Sequence, residues 1–299
     1  MIVRTFKIKT SNNEIIDLQN TSDILTFSFN NLGIGFNNSF LNVKNNFILE
    51  SNKKILNELS LKLLFINPNA YQKYRDFIEK IKYELANSES LKLIYGVTYN
   101  NNYNEYYCDV YIKNIGKNEL NQFNNLEIDF ILEQVSNWKK EIQIEWELII
   151  DTSGGKKYNY KFGAFKYTSI YDQTKKIKNN SDLPAKGEII INGASINPHI
   201  KLLKDNKEIS ECKIYETIKE NEAIIINTTI ENQKIIKVIK DKNNKIKQEI
   251  NIYEKQDFNL NTFFTIPIGE YKIKYFNDLP KSKLAGSLEI KYYEEYLSV

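Results

Sequence analysis

Apolar and polar residues alternate along several segments in the second half of the chain, as expected for strands with one buried face. In EIQIEWELII (residues 141–150), Ile142, Ile144 and Trp146 alternate with Gln143, Glu145 and Glu147. GEYKIKYF (residues 269–276) and SLEIKYYEEYL (residues 287–297) show the same period. IIKVIKDKNNKIKQEINIY is predicted to be a hairpin that turns at Asn243 and Asn244. Strands in succession without helices between them predict antiparallel sandwiches.

The first half contains strands and one clear helical segment. LSLKLLFI (residues 59–66) is a predicted strand, after which NPN breaks the pattern and Asn69 is expected to cap a helix near residues 69–86. SLKLIYGVTY, NEYYCDVYIKNI and NNLEIDFILEQVS are predicted to be the strands that follow the helix. One apolar helical stripe at three- and four-residue spacing is formed by Tyr71, Tyr74, Phe77, Ile78, Ile81 and Leu85.

These patterns predict a mainly β chain with two domains that join near Trp138 to Glu141. We expect residues 1–140 to form an N-terminal domain with the helix, and residues 141–299 to form a C-terminal antiparallel β-sandwich. The polar segment from Tyr171 to Gly187 is predicted to be a long loop inside the second domain.

Composition narrows the function classes. The chain has 299 residues, of which 41 are basic and 38 acidic, so the net charge is +3. This balance does not resemble the clustered excess of a nucleic-acid footprint. Cys108 and Cys212 are predicted to be free thiols, because two cysteines and one histidine are too few for a disulfide framework or a tetrahedral zinc site.

No apolar run approaches the roughly 20 residues of a membrane helix, so we expect no membrane insertion. The N-terminal residues lack the apolar region of a signal peptide.

The only histidine, His199, lies in the segment LPAKGEIIINGASINPHIKLL (residues 183–203). Catalysis by a histidine needs a group that orients the ring and a nucleophile within reach. We interpret this segment instead as a corner between two strands. Gly193 permits backbone angles that other residues avoid, and Pro198 is expected to hold Asn197 extended.

Three other patterns could carry chemistry, and each has a structural interpretation that we favour. SGGKKY (Ser153 to Tyr158) lacks phosphate-loop spacing and is predicted to be a hairpin turn. Glu145 and Glu147 could form a glycosidase pair but alternate as a solvated strand face does. Tyr106, Tyr107, Tyr292, Tyr293 and Tyr296 could stack on sugars but also suit sheet cores and interfaces. We therefore predict no catalytic, cofactor-binding or metal-binding residues.

The order of several segments resembles the distal tail protein family of long-tailed bacteriophages, also called the siphovirus tail component group. In the first half the resemblance rests on LSLKLLFINPNAYQKYRDFIEKI, LKLIYGVTYNNNYNEYYCDVYIKNI and LEIDFILEQVSNW. In the second half it rests on GEIIINGASINPHIKL, EAIIINTTIENQKIIKV, DFNLNTFFTIPIGEYKIKY and SLEIKYYEEYL. The chain departs from the family pattern at Asn227, where Asp is frequent, and at Ile268, which separates Pro267 from Gly269. Residues 158–182 match only loosely.

The resemblance implies a structural baseplate protein without enzymatic activity, made in the cytoplasm of a bacterial host and located at the virion tail tip. It implies a tube-like N-terminal β-sandwich domain with a belt helix and a galectin-like C-terminal domain. Six copies would form a ring between the tail tube protein and a lysin-type hub protein. The C-terminal domains would project outward, where receptor-binding proteins or fibres can attach, and DNA would pass through the lumen without specific binding.

Three alternatives stay open at this point. The chain could be a carbohydrate-binding or host-adhesion β-sandwich, since it has 20 tyrosines. It could be a hydrolase that uses Glu145 and Glu147, in which case substitution of either carboxylate abolishes turnover. It could also be the equivalent ring protein of a contractile tail or a phage-derived bacteriocin, because the same ring architecture serves both.

We predict that the residues facing the lumen of the N-terminal ring are polar or acidic. A basic lining would bind the phosphates of passing DNA and retard its movement. A structure of the assembled ring checks this expectation, and a collar of lysines and arginines around the lumen would contradict it.

Overall fold

The computed structural model describes residues 3–20, 22–55, 57–99, 101–147, 174–241, 243–278 and 286–299. Its contacts divide the chain into a first unit, Met1–Lys140 with Glu295–Val299, and a second unit, Glu141–Glu294. The last five residues thus belong to the first unit, although the sequence pattern assigns them to the second domain. Every strand pair that the structure describes is antiparallel, and the prediction of a mainly β chain is confirmed.

A single bent sheet forms most of the first unit. Its strands are β1 (Val3–Lys9), β2 (Ile15–Asp17), β3 (Ile24–Asn30), β6 (Glu58–Phe65), β7 (Leu91–Tyr99), β8 (Asn102–Leu120) and β9 (Leu126–Gln134). They lie in the order β2-β1-β7-β8-β9-β6-β3. A separate two-stranded ribbon consists of β4 (Gly35–Val43) and β5 (Asn46–Ile55).

Strand β8 joins the two halves of this sheet. Its first part pairs with β7 as far as Val110, and its second part pairs with β9 from the same residue onward. The register shifts between Ile112 and Asn114, as at a β-bulge, which bends a strand and increases its twist. One long strand therefore serves two sheet halves whose buried side chains form one core.

Aromatic rings link this core to the start of β10 (Trp138–Glu147). Phe6 stacks on Phe29 at 4.5 Å between ring centroids and lies 5.3 Å from Tyr95. Tyr95 lies 6.1 Å from Trp138, which is fully buried and whose indole N–H donates to the carbonyl of Leu32 at 3.2 Å. The tryptophan at the predicted domain end is thus a core residue with its polar atom satisfied.

The predicted helix is α1 (Ala70–Asn87), and it packs on β6 and β9. Phe77 lies 5.7 Å from both Phe65 and Phe130, and Ile81 is fully buried in the same core. The apolar stripe is narrower than predicted, because Tyr71 and Leu85 are each 42% exposed.

Two helix details differ from the sequence prediction. Asn69 makes no side-chain cap bond; its backbone is left-handed at φ 67°, and its carbonyl accepts the N–H of Lys73. Glu84 lies on the buried side of the helix, although it is charged. Its Oε1 accepts hydrogen bonds from the backbone N–H and the hydroxyl of Ser11 at 2.9 and 2.7 Å. A tertiary contact, invisible in helical periodicity, buries this charged residue.

The second unit contains two sheets that share a core. The strands of the first sheet are β12 (Lys186–Asn192), β17 (Glu222–Asn227), β18 (Lys234–Lys240), β19 (Ile246–Asn251) and β21 (Ser287–Tyr296). Those of the second are β11 (Thr174–Asn179), β14 (His199–Lys204), β15 (Lys207–Lys213) and β20 (Gly269–Phe276). The first sheet has the order β19-β18-β17-β12-β21, with β10 beside β21, and the second has the order β11-β20-β14-β15.

Short elements complete this unit. Strands β13 (Ser195–Ile196) and β16 (Thr217–Ile218) pair with each other, and two 3-10 turns span Ile230–Asn232 and Tyr253–Lys255. Ile189 and Ile224 from one sheet share a buried cluster with Leu202 and Ile273 from the other, which is the packing of a β-sandwich.

The prediction of a long loop from Tyr171 to Gly187 is wrong, because the segment contains β11. This strand lies at a sheet edge and pairs with β20. Its one apolar residue, Ile177, is buried, while Lys175, Lys176 and Lys178 are exposed. An edge strand with so many charged residues lacks the apolar alternation that reveals other strands. The predicted SGGKKY turn lies outside the described residues.

The buried carboxylate of Glu84 leads to a pH prediction. Burial alone would raise its pKa, but the two hydrogen bonds from Ser11 hold the pKa below its ordinary value of 4.5. The folded state therefore gains stability from the ionised form at higher pH, and this gain is lost as the pH falls below 4.5 through the folded pKa. The substitution Glu84→Ala should lower the free energy of unfolding by about 1.5–3 kcal/mol at pH 7.

Urea unfolding at pH 7 and at pH 3.5 measures this difference, which should shrink at the lower pH. Glu79→Gln on the exposed side of the same helix is the control, and its unfolding midpoint should stay near that of the wild type. An equal loss for Glu84→Ala at both pH values would contradict the role of the ionised carboxylate.

Candidate functional site

His199 lies in a network of charged side chains on the outer face of the second unit. Its Nε2 is 2.7 Å from Oε1 of Glu211, and its ring is 5.6 Å from that of Phe276. Lys201 donates to Glu208 at 2.7 Å and to Glu211 at 3.1 Å. Glu211 is thus shared between a lysine and the histidine, an arrangement that links β14 to β15 in the manner of cross-strand ion pairs.

The segment before His199 is a corner. Gly193 has φ 84°, a conformation that favours glycine. The Ser195 and Tyr275 hydroxyls are 2.8 Å apart and buried, which ties the corner to β20. Asn197 is left-handed at φ 49° rather than extended as predicted. Its side-chain amide donates to Asp278 at 2.9 Å and its N–H donates to Glu216, contacts that override the preference set by Pro198.

Asn227, where the chain departs from the family pattern, has a local structural role. Its Oδ1 accepts the N–H of Thr229 at 2.9 Å and the hydroxyl of Thr229 at 2.6 Å, which forms an Asx turn after β17. Its Nδ2 donates to Glu188 on β12 at 2.8 Å. An aspartate would keep the turn but would place a carboxylate against Glu188, so the asparagine suits this neighbour.

Glu145 and Glu147, which the sequence analysis interpreted as a solvated strand face and kept as an alternative glycosidase pair, are not both described. Glu145 is exposed on β10, and the side chain of Glu147 lies outside the described residues. No group of three or more histidine, cysteine, aspartate or glutamate side chains in the described part of the chain could hold a metal ion. Within the same residues, no helix is long and apolar enough to cross a membrane.

The tyrosines singled out by the sequence lie mainly in packed positions. Tyr106 contacts Tyr296 edge-on at 5.2 Å, and the amino group of Lys92 lies 4.9 Å from the ring of Tyr107. Tyr292 is buried, its hydroxyl donates to the carbonyl of Lys178 at 2.6 Å, and burial raises its pKa to about 12. These rings do not form an exposed stacking platform of the kind that binds sugars.

The surface that sequence reasoning missed is the β4–β5 ribbon, which we call the apolar hairpin (residues 35–55). Eight large apolar side chains on it are between 44% and 75% exposed: Phe36, Phe40, Leu41, Val43, Phe47, Ile48, Leu49 and Ile55. An exposed apolar area of this density is typical of a surface that binds another protein.

Both faces of the hairpin tip are apolar. Phe40 lies opposite Leu49, and Leu41 lies opposite Ile48. Because neighbouring residues of a strand point to opposite faces, one pair lies on each side of the ribbon. The sequence signal is a run without alternation, as in FILE (residues 47–50), which is unusual for a strand with one solvated face.

Comparisons with known proteins match the first domain to a family model and the fold of the chain to solved structures. Residues 5–135 match the family model described as distal tail protein, N-terminal domain. No curated protein matches the chain. The fold resembles a chain in the structure of the phage P2 baseplate in its activated conformation with Ca, with a TM-score of 0.62 and 16% identity over 99% of this chain and 100% of that chain.

Two further solved structures show the same fold. A chain of the phage p2 baseplate in its activated conformation with Sr matches with a TM-score of 0.61 and 16% identity. The Dit (gp 19.1) protein of phage SPP1, described as a paradigm of the hub adsorption apparatus in phages that infect Gram-positive hosts, matches with a TM-score of 0.57 and 10% identity. Each match covers 99% of this chain and 100% of the other.

Both cysteines are free and buried, and we predict that neither reacts in the folded protein. Burial raises the pKa of the Cys108 thiol well above its usual value and that of Cys212 to about 12. Because only the thiolate attacks a disulfide reagent, native protein at pH 8 should release almost no thionitrobenzoate from Ellman's reagent. Protein unfolded in guanidinium should release two per chain. Rapid reaction of a native thiol would contradict the described burial.

Proposed function

We propose that this chain, whose residues 5–135 match a distal tail protein N-terminal domain, is a structural component of a bacteriophage tail tip that closes into a ring of six copies. The observation that carries the proposal is the apolar hairpin of that domain. A ribbon with two apolar faces needs a covering surface on each side, and neighbouring copies in a ring supply them.

The ring is held by contacts that repeat around a rotation axis. In such a ring each copy uses one surface toward the copy before it and a different surface toward the copy after it. The hairpin fits this requirement, because it pairs with no other described strand of its unit and can meet a surface that is not its own equivalent. Its exposed phenylalanine and isoleucine side chains supply the burial that stabilises association.

The proposed partners follow from the location of such a ring at the tail tip. The ring joins the tail tube protein on one side and a lysin-type hub protein on the other, and the second unit carries receptor-binding proteins or fibres. DNA passes through the lumen without specific binding. The protein performs these roles without an active site, a cofactor or a metal, so its mechanism is assembly.

The mass of the protein in solution tests the ring. Six copies of 35.2 kDa weigh 6 × 35.2, or about 211 kDa, and light scattering on a sizing column should give this value. The double substitution Phe47→Ser with Ile48→Ser removes one large side chain from each face of the hairpin. It should weaken association by more than about 100-fold, since each buried side chain of this size contributes about 1.5–3 kcal/mol.

The matched control is Ile246→Ser with Ile250→Ser, which also removes two exposed apolar side chains from a hairpin strand, here in the second unit. This variant should keep the mass of the wild type. A wild-type monomer at every accessible concentration contradicts a self-assembling ring. Equal dissociation of both variants contradicts the role assigned to the apolar hairpin.

A further inference from the structure

The outer face of the β11-β20-β14-β15 sheet carries lysines in adjacent positions. Lys176 lies directly opposite Lys272, and Lys274 lies directly opposite Lys201. Like charges at directly opposed positions of an antiparallel pair are destabilising. Two lysine pairs are therefore opposed on one surface, and Lys176 with Lys272 is the pair in which neither member has a carboxylate partner among the described residues.

Some lysines of this sheet have carboxylate partners and others do not, within the described residues. At the β15 side, Lys201 is paired with Glu208 and Glu211. At the outer edge of β11, Lys178 is 3.5 Å from Glu270. Between them, Lys272 donates to the amide oxygen of Asn206 at 3.3 Å, and the amino group of Lys274 lies 5.1 Å from the ring of Phe276.

Among the described residues, no carboxylate lies within salt-bridge distance of Lys176, Lys272 or Lys274; we call these three residues the lysine face. Lys176 and Lys272 also line a groove of about 760 Å³. The rest of its lining consists of Lys178 with its ion-pair partner Glu270, the polar residues Asp205 and Asn206, and the apolar side chains of Ile177, Leu203 and Tyr271. The groove gives an elongated ligand room to lie across β11 and β20. Lys176 and Lys272 are separated by the distance between paired strands, and Lys274, beside the groove, lies about 6.7 Å from Lys272 along β20.

We propose that the lysine face binds a linear polymer of phosphate groups that carries no nucleobases. Lysine is a compact point charge that binds phosphate oxygens without demanding a fixed orientation. A chain of phosphates would place one anion near each ammonium group and remove the repulsion between the opposed lysines. Binding of this kind depends on the ammonium groups and requires no apolar anchor.

The same features argue against the other large ligands. The cores of protein interfaces are depleted in lysine and rich in aromatic residues, whereas this face has three lysines without ion pairs among the described residues. Sites for single-stranded nucleic acid combine a basic track with several exposed stacking rings. Here the ring of Phe276 already contacts Lys274 and His199. The inference concerns the second unit and does not depend on ring formation.

The test measures binding of the full chain to inorganic polyphosphate by fluorescence anisotropy at several salt concentrations. Polyglutamate and single-stranded DNA of matched charge are the comparison probes. Lys176→Gln, Lys272→Gln and Lys274→Gln are combined in one variant. Since these side chains form no ion pair within the described residues, the variant should fold, as circular dichroism would verify.

The control variant combines Lys234→Gln, Lys245→Gln and Lys247→Gln, which removes the same charge from β18, the following turn and β19. We expect the lysine-face variant to bind polyphosphate at least 10-fold more weakly in 50 mM salt. The slope of log K against log salt should decrease by about 2 to 3, because each of the three lysines that neutralises a phosphate adds about 0.7–0.9 to this slope. The control variant should keep the affinity and slope of the wild type.

Four results would overturn the proposal. They are no binding of polyphosphate by the wild type, equal reductions of affinity in the two variants, binding of polyglutamate within threefold of polyphosphate, and tighter binding of DNA than of polyphosphate. The third result would mean general attraction to anions, and the fourth would mean a nucleic-acid site.

Discussion

A two-stranded ribbon cannot bury its own side chains, because it has no second layer to cover either face. The apolar hairpin of residues 35–55 is such a ribbon, and its phenylalanines and isoleucines are exposed on both sides. The rest of the first unit buries most of its apolar groups internally, through the bent sheet around β8 and the helix that packs on β6 and β9. The hairpin is therefore the element of this unit that leaves the most large apolar side chains exposed, and the proposed assembly would cover them.

The second unit buries its apolar side chains between two sheets. Its two sheets share a core, and the corner before His199 joins strands through buried hydroxyl contacts such as that of Ser195 with Tyr275. The outer face of the β11-β20-β14-β15 sheet carries lysines and glutamates. Lys201 is paired with two carboxylates, whereas Lys176 has no carboxylate partner among the described residues, so charge is distributed unevenly across this sheet although the net charge of the chain is small.

Much of this fold is predictable from period alone. The strand at residues 59–66, the helix and the alternating strands near the C-terminus are each visible as one-sided apolar patterns, and the family resemblance rests on their order. The missed features lack that signal. Strand β11 is an edge strand with one buried apolar residue, Asn69 is held by backbone geometry, and Glu84 is buried by a contact with Ser11, 73 positions away. The hairpin leaves only a run of apolar residues without alternation, as in residues 47–50, and such a run does not tell an exposed ribbon from a buried strand.

The measurement that tests the central claim most directly is hydrogen exchange of the intact protein, followed by mass spectrometry at a high and a low protein concentration. If neighbouring copies cover the apolar hairpin, peptides within residues 35–55 should exchange more slowly at the high concentration. Peptides from residues 246–251, in the exposed strand β19, should exchange equally at both. Identical exchange of the hairpin at all concentrations would mean that no second copy covers it, and would contradict an assembly held by this ribbon.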